Sequence, residues 1–168
     1  TARPHAIQVD QSGVRYMNEG GSYELFCENM LKRDDVVPAI PSFAIMDSQF
    51  IEKYPLADKS GPKIPPKWFE ADFIKQGNTI GDLSKLINID PAVLTKAVDR
   101  WNSWVEKGRD EDFHSGGRAY DNGLGDPFFK DGPNKSMGRI VKGPFYAIEI
   151  VPGDVGTWGG VVTDPDAR

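Results

Sequence analysis

Residues 151–160, VPGDVGTWGG, place four glycines and a tryptophan directly after FYAIEI, a strong strand candidate. Glycines after a strand cradle phosphate when a helix follows, because backbone N–H groups and the helix N-terminus then converge on the anion. Here VVT and DPDAR follow, so the local reading is strand, glycine loop, strand. GDVGTWGG matches neither G-x-G-x-x-G nor G-x-x-x-x-G-K-[ST], and neither pattern occurs elsewhere in the chain. A glycine-rich turn with an exposed aromatic, or the wall of some other site, remains. The sole cysteine, Cys27, has no intrachain partner and lies in YELFCENML, where helical spacing makes it part of a packed, inert face. His5 and His114 are more than 100 residues apart with no second cysteine, so no zinc spacing exists and a structural metal is not expected.

The elements that must position any site belong to one domain. The chain has 168 residues, 39% of them hydrophobic and 27% charged, enough for one core and too few for two full-sized ones. A net charge of −5 and scattered basic residues argue against a nucleic-acid or anionic-membrane surface. No apolar run spans a bilayer and TARPHAIQVD lacks the apolar core of a signal peptide, so a cytoplasmic chain, at most peripheral to a membrane, is expected.

AIQVDQSGVRYMNE alternates around Ser12-Gly13 and predicts two short strands joined by a tight turn. Ser22 is placed to cap a helix over about 22–32, with Leu25, Phe26 and Met30, joined by Cys27, as its apolar stripe. SFAIMD reads as a buried strand, and Asp47 or Ser48 as the cap of SQFIEKY. Residues 55–67, with four prolines, read as a loop: a lid or a plain surface connection. Thr79 and Asp82 form a near capping box. Asp90-Pro91 starts the most periodic helix, whose stripe is Leu94, Ala97, Val98, Trp101 and Val105, with Trp104 adjoining and Gly108 as the stop. Residues 109–142 are polar and glycine-rich and need something to lie against. The whole reads as α+β, a small sheet with packed helices. AIQVD begins a strand almost at once and DAR stops abruptly, so a piece of a larger protein is expected.

Three stretches together carry a family resemblance. GVRYMNEGGSY resembles the G-x-R-[FY]-x-N-E-x-x-x-Y segment of FAD-dependent 3-ketosteroid dehydrogenases and their fumarate reductase/succinate dehydrogenase relatives. GDLSKLINIDPAVLTKAVDRWNSWVEKGRDEDF is similar to the same family's helical pair, and GPFYAIEIVPGDVGTWGGVVTD to its strand and glycine loop. The resemblance implies that residues 1–168 are the substrate, or capping, domain, with Rossmann-type FAD-binding portions before and after it in the parent chain. FAD would be the cofactor and the FAD-binding domain of the same chain the partner, and the isolated chain would hold the flavin weakly and be inactive. Thr157, Gly159 and Gly160 would lie against the flavin, where glycine permits close backbone approach.

The implied reaction introduces a C=C bond beside a ketone by removing a proton next to the carbonyl and passing a hydride to flavin. Tyr23 stands where the family has its proton-abstracting tyrosine. Because a free phenol has a pKa of about 10, such a base needs help from its surroundings. Phe145, Tyr146, Trp158 and the VPAIPSF segment are the candidates to face a flat, apolar ketone such as a steroid. The family's oxyanion stabilisers belong to a motif that would lie downstream of Arg168. The rival is reduction of a dicarboxylate, in which Arg139 would donate the proton; it is one position out of register, and Val155 and Gly156 replace carboxylate-binding histidines. A non-catalytic binding module is the third alternative.

Overall fold

A computed structural model describes residues 2–57, 61–153, 156 and 161–166. Strands β1 (Ala6–Val9), β2 (Ser42–Asp47), β3 (Ile74–Gly77) and β4 (Phe145–Ile150) form one antiparallel sheet in the order β1-β2-β4-β3. The helices are α1 (Tyr23–Asp34), α2 (Ser48–Lys53), α3 (Pro66–Glu70), α4 (Ile80–Leu86), α5 (Pro91–Lys107) and α6 (Ala119–Leu124).

Both sheet faces are covered, which is why SFAIMD is apolar at every central position. Side chains alternate across a strand. Ile7, Val9, Phe43, Ile45 and Ala147 therefore face α4 and α5, while Ala44, Met46, Tyr146 and Ile148 face α2 and α3. Centring this core on α5 follows from its stripe: Leu94, Val98, Trp101, Trp104 and Val105 are all buried. The helix starts where Asp90 accepts hydrogen bonds from the N–H groups of Ala92 and Val93, and stops at Gly108, whose φ of 85° suits glycine. Replacing Asp90 by alanine leaves those donors without their cap and lowers stability by about 1 kcal/mol, read as a small fall in melting temperature.

SFAIMD, FYAIEI, the Thr79–Asp82 capping box and the Asp47 cap form as the sequence predicts. Other expectations need correction. The second arm of the Ser12-Gly13 turn is not a strand: one bridge, Val9 to Arg15, pairs it with β1, and β1 pairs along its length with β2. The turn itself forms, held by Asp10 Oδ1, which accepts from Ser12 and Val14 N–H. Strand β3 is unpredicted because IKQG carries one apolar side chain. It forms by pairing with β4, and a Cβ at Gly77 would collide with the backbone of Leu83, so glycine lets β3 pack onto α4.

The expected stripe of α1 is also largely unburied. Met30 is buried, but Leu25 is 38% exposed, and Phe26 and Cys27 are half-buried rather than packed away. From VPAIPSF, Ala39 and Phe43 are core residues, Val37 is half-buried and Pro38 is exposed. Residues 109–142 contain one short helix, α6, and lie against α5. Trp101 Nε1 donates to Gly138 O (2.9 Å), and Asn102 bonds both the C=O and the N–H of Ile140 (3.0 and 2.8 Å).

Candidate functional site

GVRYMNEGGSY is organised by a buried ionic knot. Arg15 Nε donates to Glu19 Oε1 at 2.7 Å, and its Nη2 lies 2.8 Å from Glu19 Oε2, Asp110 Oδ2 and Ser115 Oγ. The guanidinium also lies over the rings of Trp101 (4.6 Å) and Phe113 (5.0 Å). Burial works against charge on both sides of this pair. Hydrogen bonds and attraction outweigh it, holding Arg15 protonated and the Asp110 carboxyl below its ordinary range. Asn18 adds a second tie, donating to Asp121, which is also paired with Arg118. The Arg, Asn and Glu of this segment thus bind the 13–19 stretch to residues 110–121 and fix the direction in which α1 leaves. The sequence pointed to these residues only as motif letters. Their pairing with Asp110 required the fold.

The two tyrosines of the segment have different fates. The Tyr16 hydroxyl accepts from Gln8 Nε2 (2.8 Å) and shares a 2.7 Å hydrogen bond with Ser42 Oγ, and burial pushes its pKa up. Its phenol is committed to the fold. Tyr23 opens α1 just after the Ser22 cap, which accepts from Leu25 N–H, and is 75% exposed. One turn further, the Cys27 thiol donates to Gly153 O at 3.2 Å. Residues four apart share a helix face, so the Tyr23 face is the one turned to the segment after β4. Gly153 and Gly156 have nothing within 4 Å of a Cβ position, and Val151, Val161 and Val162 are 63%, 90% and 96% exposed. Described parts of the glycine-rich stretch are therefore exposed.

Thr157, Trp158, Gly159 and Gly160 lie outside the described residues, as does Val155. Phe145 and Tyr146 do not share a face: Phe145 packs half-buried against the α5 side, whereas Tyr146, 7% exposed, packs in the α2 and α3 layer. Arg139 is paired with Glu106 of α5 at 3.2 Å with about half its side chain exposed, and its C=O lies 2.7 Å from His5 Nδ1. It is tied to α5 and to His5 just before β1, whereas the α1 face that carries Tyr23 is tied through Cys27 to Gly153 after β4. Among the described residues no group of histidine, cysteine and carboxylate side chains could hold a metal, and no helix is long and apolar enough to cross a membrane.

With this geometry in place, comparison with known proteins is decisive. The family model described as an FAD binding domain matches residues 2–168. The chain belongs to that FAD-binding flavoprotein family, and FAD is the cofactor. Over 171 residues it is 38% identical to the 3-oxosteroid 1-dehydrogenase of Mycolicibacterium smegmatis, with 98% of this chain and 30% of that protein covered. The crystal structure of 3-ketosteroid delta1-dehydrogenase from Sterolibacterium denitrificans, in complex with 1,4-androstadiene-3,17-dione, superposes with a TM-score of 0.89 at 32% identity. It covers 99% of this flavoprotein chain and 30% of that one. A flavocytochrome c3 fumarate reductase shares the fold at TM-score 0.61 and 22% identity, over 89% of this chain and 21% of that one. This flavoprotein chain thus spans about 30% of the length of its dehydrogenase relatives.

Proposed function

We propose that residues 1–168 form the substrate-covering part of an FAD-dependent oxidoreductase that introduces a C=C bond beside the ketone of a flat, apolar molecule of the 3-ketosteroid class. In this reading the FAD-binding portions flank the segment in the parent chain, and the segment alone holds flavin weakly and is inactive. Its four-stranded antiparallel sheet, without a G-x-G-x-x-G turn, supports a covering rather than a dinucleotide-cradling role. The observation that carries the reading is the exposed phenol of Tyr23, on the α1 face whose Cys27 is bonded to Gly153.

Bound FAD supplies the hydride acceptor. The chain's own residues do the rest. Tyr23 is the base that takes the proton from the carbon next to the substrate ketone. Thr157, Gly159 and Gly160 would be the residues that hold the flavin, and Trp158 and the half-buried Phe145 those that offer apolar surface to the substrate. Tyr146 supports this wall from the other sheet face.

The test is formation of 1,4-androstadiene-3,17-dione from 4-androstene-3,17-dione by the full-length protein with an artificial electron acceptor. Product formation with bound FAD is expected; a flavin-loaded protein that leaves the steroid unchanged contradicts the proposal. Arg139, paired with Glu106, offers the dicarboxylate reading no free cation. Arg139→Leu is accordingly expected to lower steroid turnover by no more than about threefold, since it touches no reacting group. A loss as large as that of Tyr23→Phe would revive the rival.

A further inference from the structure

Two glycines, Gly20 and Gly21, precede the Ser22 cap and Tyr23. Glycine leaves a chain free to take many directions, and α1 is held shallowly: Met30 is buried, Phe26 and Cys27 are half-buried, and Tyr23 and Leu25 are exposed. Where Tyr23 stands therefore depends on what holds the turn before it.

Asp121 of α6 holds that turn in two ways. Its side chain is fully buried; Oδ2 accepts from Asn18 Nδ2 at 3.0 Å and Oδ1 from Arg118 Nε at 3.0 Å. Asn18 Oδ1 in turn accepts the Gly20 N–H at 2.8 Å, so one side chain closes the turn and ties it to α6. Gly20 also lies so close that a Cβ there would stand 3.0 Å from Asp121 Cγ and Oδ1. The Asp121 main chain is anchored as well, its C=O accepting from Ser136 Oγ at 3.0 Å. A carboxylate bonded on both oxygens and fixed through its own C=O does not step aside, so a group pushed against it moves the turn instead.

We propose that Asp121 is a positioning residue for the Tyr23 base: through Asn18 and Gly20 it sets where the phenol oxygen stands relative to the carbon that loses the proton. The inference rests on the assignment of Tyr23 as the base. A base must reach the proton it takes, and a misplacement of about 1 Å costs up to about 100-fold in rate, so a shift of a few tenths of an ångström corresponds to about five- to tenfold.

Two variants disturb the turn differently. Gly20→Ala adds the Cβ that meets Asp121. Asn18→Ser keeps an oxygen for the Gly20 N–H and gives up the reach to Asp121. Each is made in the full-length flavoprotein, alone and combined with Tyr23→Phe, and flavin reduction by saturating 4-androstene-3,17-dione is followed without oxygen. Each single variant is expected to slow reduction about five- to tenfold, while flavin content and the half-saturating steroid concentration stay within about twofold of wild type. In the Tyr23→Phe background the same changes are expected to alter the rate by less than about twofold, since no hydroxyl is left to misplace. If Gly20→Ala does not fold with flavin, Asn18→Ser decides. Single variants at the wild-type rate, or an equal fold loss in both backgrounds, overturn the proposal, the latter by showing a tie that serves the fold alone. Tyr23→Phe at the wild-type rate overturns the base assignment and the positioning with it; a slow Tyr23→Phe beside unaffected turn variants overturns only the positioning.

Discussion

Replacing Tyr23 by phenylalanine in the full-length flavoprotein is expected to slow reduction of the flavin by a 3-ketosteroid by about 10²- to 10⁴-fold, the usual weight of a general base. The substitution keeps the ring and removes only the hydroxyl. Tyr23 is 75% exposed and caps nothing itself, since the Ser22 side chain receives the first-turn N–H, so fold and flavin content are expected to survive. Steroid binding should change little, because the loss falls on a proton transfer and not on apolar contact. Tyr16→Phe provides the contrast. That phenol is bonded to Gln8 and Ser42, so its loss should lower stability and leave the chemical step nearly intact. Undiminished steroid turnover in Tyr23→Phe would remove the base from the account.

Arg15→Leu is expected to give the largest loss of stability. It leaves the Glu19 and Asp110 side chains, 4% and 0% exposed, buried without their cation. Breaking such a cluster costs about 3–5 kcal/mol, a large share of the roughly 5–15 kcal/mol that holds a domain together. For a chain of this size the melting temperature should fall by roughly 6–20 °C. The pH dependence separates this cause from lost packing. In the wild type the Asp110 carboxyl is held below its ordinary range, so its contribution is fully present above the unfolded pKa of about 4 and is lost as pH falls through the lower folded value. Asp112, held down to about 2 chiefly by the hydrogen bonds of Arg100, acts in the same direction. In the variant the N–H groups of Asp112 and Ser115 still hold the Asp110 carboxylate, but the guanidinium that offset its burial is gone, so its pKa rises and the deficit against wild type should shrink as pH is lowered. A pH-independent deficit would assign the loss to packing alone.

These two residues mark how far the sequence could be read. Local signals were reliable where a single element's periodicity or cap was at stake: α5 forms because its stripe and both ends are written in consecutive residues, and β2 because a strand covered on both faces must be apolar throughout. Strand β3 was illegible because IKQG is stabilised by its partner β4 and by the close approach to α4 at Gly77, neither of which is a local property. The second arm of the first turn alternated convincingly, yet Arg15 turns inward to Glu19 and Asp110, and the knot displaces the ladder. At the candidate site, Tyr23 was recognisable only through the resemblance; by spacing alone a tyrosine in the first turn of a helix is packing. Its exposure, the commitment of Tyr16 and the Cys27 to Gly153 hydrogen bond came from the fold.

The most direct test of the account compares the two half-reactions in the wild-type, full-length flavoprotein without oxygen. The oxidised protein is mixed with 4-androstene-3,17-dione, and the chemically reduced protein with fumarate, while flavin absorbance is followed. The account predicts bleaching by the steroid, with one equivalent of the 1,4-diene formed per flavin, and no reoxidation by fumarate. A flavin that stays oxidised with the steroid but is reoxidised by fumarate would contradict it and assign the protein to the dicarboxylate branch of its family.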